Sequence, residues 1–184
     1  MKSLFVWMPA TLFGIGLWLS FPGSAGAQDF PQSWYGQWRG PLLIRSAQGT
    51  TQTVAMQLDI GPIDADRASF VITYTTGNQI DTRAYELITV DAKRGQYVVD
   101  EKNGIRINQY RLGNRLLCQF DLATNRLQTA YELTGPNTLT FEVMTSGPLP
   151  GSSASGPVPR GQAAPSSVSG YPANGFQRAV LQRQ

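Results

Sequence analysis

The chain contains no histidine, which removes imidazole general bases, Ser-His-Asp triads and the commonest zinc ligand from its chemistry. Four groupings of the remaining reactive residues invite a chemical reading. Arg83-Ala84-Tyr85 sets a guanidinium and a phenol two residues apart, on one side of a strand, a pairing that suits a ligand carboxylate. Asp64-Ala65-Asp66 has the start of a carboxylate metal loop but not the further oxygen ligands and glycine spacing of a calcium loop, so a solvated turn is the better reading. Asp100 and Glu101 are adjacent; in a strand they face opposite sides and cannot form the facing carboxyl pair of a glycosidase. Cys118, the single cysteine, falls between Leu116 and Phe120 on an apolar side, where a thiol behaves as a small buried hydrophobe. These groupings contain no catalytic constellation and no metal or cofactor site, and the protein is expected not to be an enzyme.

The elements that must position these residues are short alternating strands. Asn103-Gly104 divides two β-prone runs in the stretch Gly95 to Leu112, the strongest hairpin signal in the chain. A two-residue loop would bring Asp100 to the face of Ile107. A three-residue loop, Lys102-Asn103-Gly104 with Gly104 left-handed, instead gathers Tyr97, Val99, Ile105 and Ile107 on one face and pairs Asp100 with Arg106 on the other, and is the favoured register. The same period of two recurs in Val54/Met56/Leu58/Ile60, Phe70/Ile72/Tyr74, Arg83/Tyr85/Leu87, Leu116/Cys118/Phe120/Leu122, Leu127/Thr129/Tyr131/Leu133 and Leu139/Phe141/Val143. With the run opened by Ser33-Trp34-Tyr35-Gly36-Gln37-Trp38, these make about nine strands joined by turn signals. The class is all-β: an antiparallel up-and-down meander of about 8 to 10 strands, closed into a barrel or folded into two packed sheets, closure being preferred because no long crossover interrupts it.

Flanking segments differ in composition. Lys2, the apolar run from Leu4 to Phe21 and the small-residue site Ala25-Gly26-Ala27 form the pattern of a secretory signal peptide, residues 1–27, against the alternative of an uncleaved anchor. Residues 28–146 would then be the barrel domain of a secreted or periplasmic protein of bacterial type, with no transmembrane segment in the mature chain. From Gly147 the chain turns rich in Gly, Pro, Ser and Ala, so residues 147–184 are expected to be a disordered tail, dispensable for stability and available for contact with the cell envelope. The net charge of +3 does not reside in the barrel: residues 28–146 carry 11 Lys and Arg against 12 Asp and Glu, which argues against nucleic acid as a partner.

Gly36-Gln37-Trp38 resembles the Gly-x-Trp that opens the first strand of lipocalins and other calycin-type barrels. The resemblance implies that Trp38 plugs the closed end of a barrel under an arginine from late in the chain, a part for which Arg126 is the candidate. Arg83-Ala84-Tyr85 is similar to the Arg-x-Tyr pair with which fatty-acid-binding barrels hold a ligand carboxylate, although theirs lies later in the chain; the alternative is that Arg83 sits at the barrel rim in solvent and Tyr85 fills core. On parity, a pocket would be lined by Met56, Phe70, Ile72, Tyr74, Tyr85, Tyr97 and Phe141, with Arg83 orienting the head of the ligand. The leading expectation is an exported, non-enzymatic barrel that binds a small apolar ligand, acidic-headed in its sharpest form. The alternatives are an envelope structural protein with a solidly packed barrel and a contact-making tail, and an outer-membrane barrel, since alternation alone does not say which face meets lipid. Amino-terminal sequencing of the exported protein is expected to return Gln28 as the first residue; a chain beginning at Met1 would mean that the apolar run is retained as an anchor.

Overall fold

The computed structural model describes residues 30–156, 160–161 and 167–184, so the expected signal peptide and its cleavage point lie outside the described residues. A 3-10 turn at Gln32–Trp34 leads into nine successive strands: β1 (Gly36–Ser46), β2 (Thr51–Pro62), β3 (Arg67–Thr76), β4 (Gln79–Asp91), β5 (Gln96–Asp100), β6 (Arg106–Leu112), β7 (Arg115–Leu122), β8 (Asn125–Gly135) and β9 (Thr138–Ser146). Each pairs antiparallel with the next. A small separate hairpin, β10 (Ser152–Ala154) with β11 (Val168–Gly170), then precedes β12 (Ala173–Arg183). The sheet closes in the order β1-β12-β9-β8-β7-β6-β5-β4-β3-β2, a ten-stranded barrel. Closure gives every barrel strand a partner on both sides, with β6 and β7 paired only where Tyr110, Arg111 and Leu112 face Leu117, Leu116 and Arg115.

The central hairpin takes the register with Asp100 opposite Arg106. The Glu101 amide donates to the Ile105 carbonyl at 3.0 Å, closing the turn over Lys102-Asn103-Gly104. Gly104 has φ 95°, in the left-handed region, where a side chain would be strained. Lys102, at φ 62°, shares that region. Arg106 Nε reaches Asp100 Oδ2 at 2.9 Å on the outer wall.

Alternation places the apolar side of every strand inside. Leu58, Ala68, Leu116, Leu139 and Leu181 are fully buried, while the outer wall bears ion pairs such as Arg115 with Glu132 at 2.7 Å and Arg178 with Glu142 at 3.3 Å. An outer-membrane barrel would show the reverse, an apolar band outward and a polar lumen. No described helix is long and apolar enough to cross a membrane.

The tail is where the structure corrects the sequence reading most. Residues 173–183, expected to be disordered, form β12 and stand between β1 and β9: Trp38 pairs with Arg183, Leu42 with Ala179, and Phe141 with Ala179. Without this strand, β1 and β9 would each present an unpaired edge. The Pro/Gly/Ser-rich composition belongs to the connector, whereas Gln177, Ala179, Leu181 and Arg183 carry the inward parity of a strand, with Ala179 1% and Leu181 0% exposed. Gly40 allows β12 its close approach, since a Cβ at that position would lie 2.3 Å from the Val180 carbonyl oxygen.

Arg183 also takes the part expected of Arg126. Its guanidinium carbon lies 4.2 Å from the centroid of the Trp38 ring, Nη2 donates to the Ser33 carbonyl at 2.8 Å, and Nη1 donates to the Tyr35 carbonyl. Trp38 is 0% exposed, and its indole N–H donates to the Trp34 carbonyl at 2.9 Å. Arg126 pairs with Ser146 in the ladder, at the far end of β8 from Trp38. It forms a two-point contact with Asp121 (2.8 and 3.2 Å) and faces the Tyr171 ring at 5.6 Å. Substitution Arg183→Met removes a stacked guanidinium and two charge-assisted hydrogen bonds and is expected to cost on the order of 2 to 4 kcal/mol in urea unfolding. Arg126→Met should leave the midpoint close to that of the parent protein, as expected for an exposed pair; equal losses for the two variants would remove Arg183 from its closing role.

Candidate functional site

The two ends of the barrel differ. At the closed end, Phe30 meets Trp34 and Tyr97 edge-on, at centroid distances of 4.9 and 4.8 Å, and the Arg111 guanidinium lies 5.2 Å from the Phe30 ring centroid. Together with Trp38 these rings fill the interior. Toward the other end the filling is incomplete. A cavity of about 170 Å3 is walled by Phe70, Tyr85, Gln109, Tyr131, Phe141 and their neighbours. Beyond it the barrel flares into a mouth of about 680 Å3 between Leu42, Ile44, Val54, Thr76 and Asp81. Tyr74, Arg83 and Gln177 border both spaces.

Strand register explains which of the expected pocket residues meet here. Phe70 is opposite Tyr85, and Ile72 opposite Arg83, across β3 and β4; Tyr131 is opposite Phe141 across β8 and β9. The Phe70 and Tyr131 rings meet edge-on at 5.2 Å, and Tyr131 lies over Phe141 at 4.7 Å. Phe70, Ile72, Tyr74, Tyr85 and Phe141 therefore stand in the cavity wall. Tyr97 and Met56 do not: Tyr97 packs on Phe30 at the closed end, and Met56, 2% exposed, belongs to the packed core. Parity says only that a side chain points inward; height along the barrel decides whether it meets the plug or the cavity.

Arg83 is inward in parity but sits at the rim, its side chain 48% exposed. Nε and Nη2 both donate to Asp81 Oδ2, at 3.1 and 2.9 Å, and the guanidinium lies 5.1 Å from the Tyr74 ring centroid. The aspartate two residues earlier on the same face is thus the partner that the sequence reading lacked. Tyr131, Gln109 and Gln177 were not singled out as site residues. Gln109 carries a signal: it follows Ile107 on the inward parity of β6, where an amide interrupts the apolar series, whereas Ile105, expected on the same face, precedes the strand and is 48% exposed.

Burial keeps the phenols neutral to higher pH than a free tyrosine. Burial pushes Tyr74 above its ordinary value, the nearby Arg83 charge opposing the shift. Tyr85 is raised by burial and then by the Glu101 carboxylate. Tyr131, buried among the other rings, is held well above the usual 10.0, chiefly by desolvation. Three protonated hydroxyls and one rim guanidinium form a donor-rich wall around an apolar space. That arrangement can orient acceptor atoms on an otherwise apolar molecule.

The other chemical candidates are engaged structurally. Asp64 Oδ1 accepts from the amides of Asp66 and Arg67, at 3.1 and 2.9 Å, and its Oδ2 meets the Arg67 guanidinium at 2.7 Å; the expected solvated turn is what forms. Cys118 is buried, and its Sγ lies 2.9 Å from Thr129 Oγ1.

No protein-family model and no curated protein matches the chain. Among solved structures, the S-type phycobiliprotein lyase CPES from Guillardia theta is similar with a TM-score of 0.58 at 7% identity, over 83% of this chain and 89% of that one. Rv2717c from M. tuberculosis is similar with a TM-score of 0.53 at 13% identity, over 87% and 98% of the two chains. A protein of unknown function from the DUF3598 family of Nostoc punctiforme gives 0.55 at 12% identity, over 83% of this chain but 48% of that longer one. Together with the closed antiparallel barrel, these likenesses fit a lipocalin-like barrel fold. They also correct the expectation that the protein is not an enzyme: a protein named as a lyase is built on a similar barrel, so this architecture and a lack of histidine are no ground for a non-enzymatic assignment.

Because the folded state holds the Tyr131 proton more tightly than the unfolded chain, its contribution to stability is full below pH of about 10 and is lost as pH rises through the folded value. Urea midpoints measured between about pH 8 and 11 should therefore fall less steeply in Tyr131→Phe than in the parent protein. Parallel alkaline limbs would show that Tyr131 is not the buried phenol responsible.

Proposed function

We propose that this protein binds a small, mainly apolar ligand in the open end of its barrel, with a polar or acidic group of the ligand turned toward Arg83 at the rim. The observation that carries this reading is the unfilled interior: a cavity of about 170 Å3 that shares Tyr74, Arg83 and Gln177 with a mouth of about 680 Å3. A cavity near 150 Å3 already accommodates a benzene-sized molecule in a protein core, and the mouth adds the volume of an ordinary ligand site. Apolar rings supply the contact area, while the phenols and the guanidinium supply direction. Export is part of the proposal and rests on the signal-peptide pattern of residues 1–27.

Asp81 modulates the rim. With both Arg83 donors on Asp81 Oδ2, an anionic head must compete for the guanidinium. An apolar fluorescent carboxylate such as dansyl-undecanoate should bind the parent protein, bind about tenfold more weakly to Arg83→Ala, and bind more tightly to Asp81→Asn. The melting temperature of both variants should stay close to that of the parent, since the pair is exposed. Mass spectrometry of lipids and pigments co-purifying with protein from its native source is expected to recover a reproducible ligand. Failure to recover any molecule, joined with no binding of the fluorescent carboxylate, would overturn the reading.

A further inference from the structure

The inner wall of the cavity contains an acceptor that nothing in the fold satisfies. Gln109, midway along β6, is 4% exposed, and its Oε1 has no hydrogen-bond partner. Two other buried side-chain oxygens share this state among the described residues, but Ser33 belongs to the plug segment and Asp59 to the outward parity of β2. Gln109 alone of the three borders the cavity. Of the other polar groups around the cavity, the Thr129 hydroxyl is engaged with Cys118, the Glu101 carboxylate with the Asn103 amide at 3.2 Å and Arg83 with Asp81, and none of the Tyr74, Tyr85 and Tyr131 hydroxyls or the Gln177 amide donates to Gln109 Oε1. Stability alone gives no reason for an amide here, because Val99, Ile107 and Phe141 line the same space with hydrocarbon, and an unpartnered buried acceptor is costly.

We propose that Gln109 reads a hydrogen-bond donor, an N–H or O–H group, at the inner end of the bound molecule. This inference rests on the ligand-binding reading above and adds an orientation to it. The ligand enters donor end first, its apolar body lies among Phe70, Tyr131 and Phe141, and its acceptor or acidic end remains at the rim with Arg83. A fatty acid, whose inner end is a methyl group, would leave the Gln109 carbonyl unsatisfied. The class selected is therefore a compact ring system with a ring N–H or a hydroxyl at one tip.

Indole and indene have nearly the same size and shape and differ in the N–H, so the pair isolates the donor. Calorimetric or NMR titration of the parent protein is expected to show indole binding about tenfold or more tightly than indene. In Gln109→Leu the gap should fall below about threefold, through weaker indole binding and unchanged or stronger indene binding. Gln109→Met, with a flexible side chain of similar length, should behave in the same way and guards against a folding defect peculiar to leucine; thermal melts of both variants establish that the barrel is intact. Equal affinities for indole and indene in the parent protein would overturn the donor inference while leaving a ligand site in place, as would an indole preference that survives both substitutions. Binding of neither ring, with dansyl-undecanoate still bound at the mouth, would overturn the inference but not the broader reading. Binding of none of the three would overturn both.

Discussion

The barrel depends on one contact between its two termini: the Arg183 guanidinium stacked on Trp38 and hydrogen-bonded to the carbonyls of Ser33 and Tyr35. A cation above an indole face is attracted by the ring quadrupole, and the attraction grows as water is excluded. Here the same cation satisfies two backbone acceptors of the segment that folds beneath the barrel. Three events are thereby coupled: β12 is brought into register with β1, the plug of Phe30 and Trp34 is fastened, and Trp38 is sealed. Since Arg183 is the last residue of β12 and Trp38 lies near the start of β1, the loop closed by this contact spans almost the whole described chain. Such non-local closure is entropically expensive and is characteristic of slow-folding β architectures.

Asymmetry between the ends follows from that contact. The rings recruited to the plug fill one half of the interior, and the other half is left to strands whose inward residues are spaced by the curvature of a ten-stranded wall. Barrel diameter grows with strand number, so the tenth strand widens the interior that the remaining side chains must fill. The aromatic rings of Phe70, Tyr131 and Phe141 narrow it to about 170 Å3 without closing it. β12 thus has two consequences from one addition: it removes both sheet edges, and it leaves room for a molecule.

The polar residues within that space follow the same economy. Arg83 is held by Asp81, Thr129 by Cys118, and the phenols are kept protonated by their own burial. What is left over is the Gln109 carbonyl. A similar barrel occurs in a protein named as a lyase, and the fold alone does not choose a function. On the proposed reading, the selection of a ligand would lie in a few inward positions, where a single amide or guanidinium outweighs the hydrocarbon around it.

Period-two alternation was enough to determine the class of fold, the inward faces and the central hairpin. Each of these depends on local geometry: successive side chains point to opposite faces, and Gly104 admits a left-handed backbone where a tight turn demands it. The pairing of Asp100 with Arg106 was legible for the same reason. Gln109 was legible in principle, as a polar interruption of an apolar parity, but nothing local shows whether such an interruption faces a void. The role of β12 was hidden because composition averages over the Pro/Gly/Ser-rich connector and the short strand beyond it, and because a strand with few large apolar residues becomes stable only between two edges that already exist. Tertiary structure likewise chose Arg183 over Arg126, sent Tyr97 to the plug and Tyr85 to the cavity, and set Arg83 beside Asp81 at the rim. Those decisions turn on height along the barrel, which is fixed by the stagger of ten strands around a closed sheet and by no single strand's sequence.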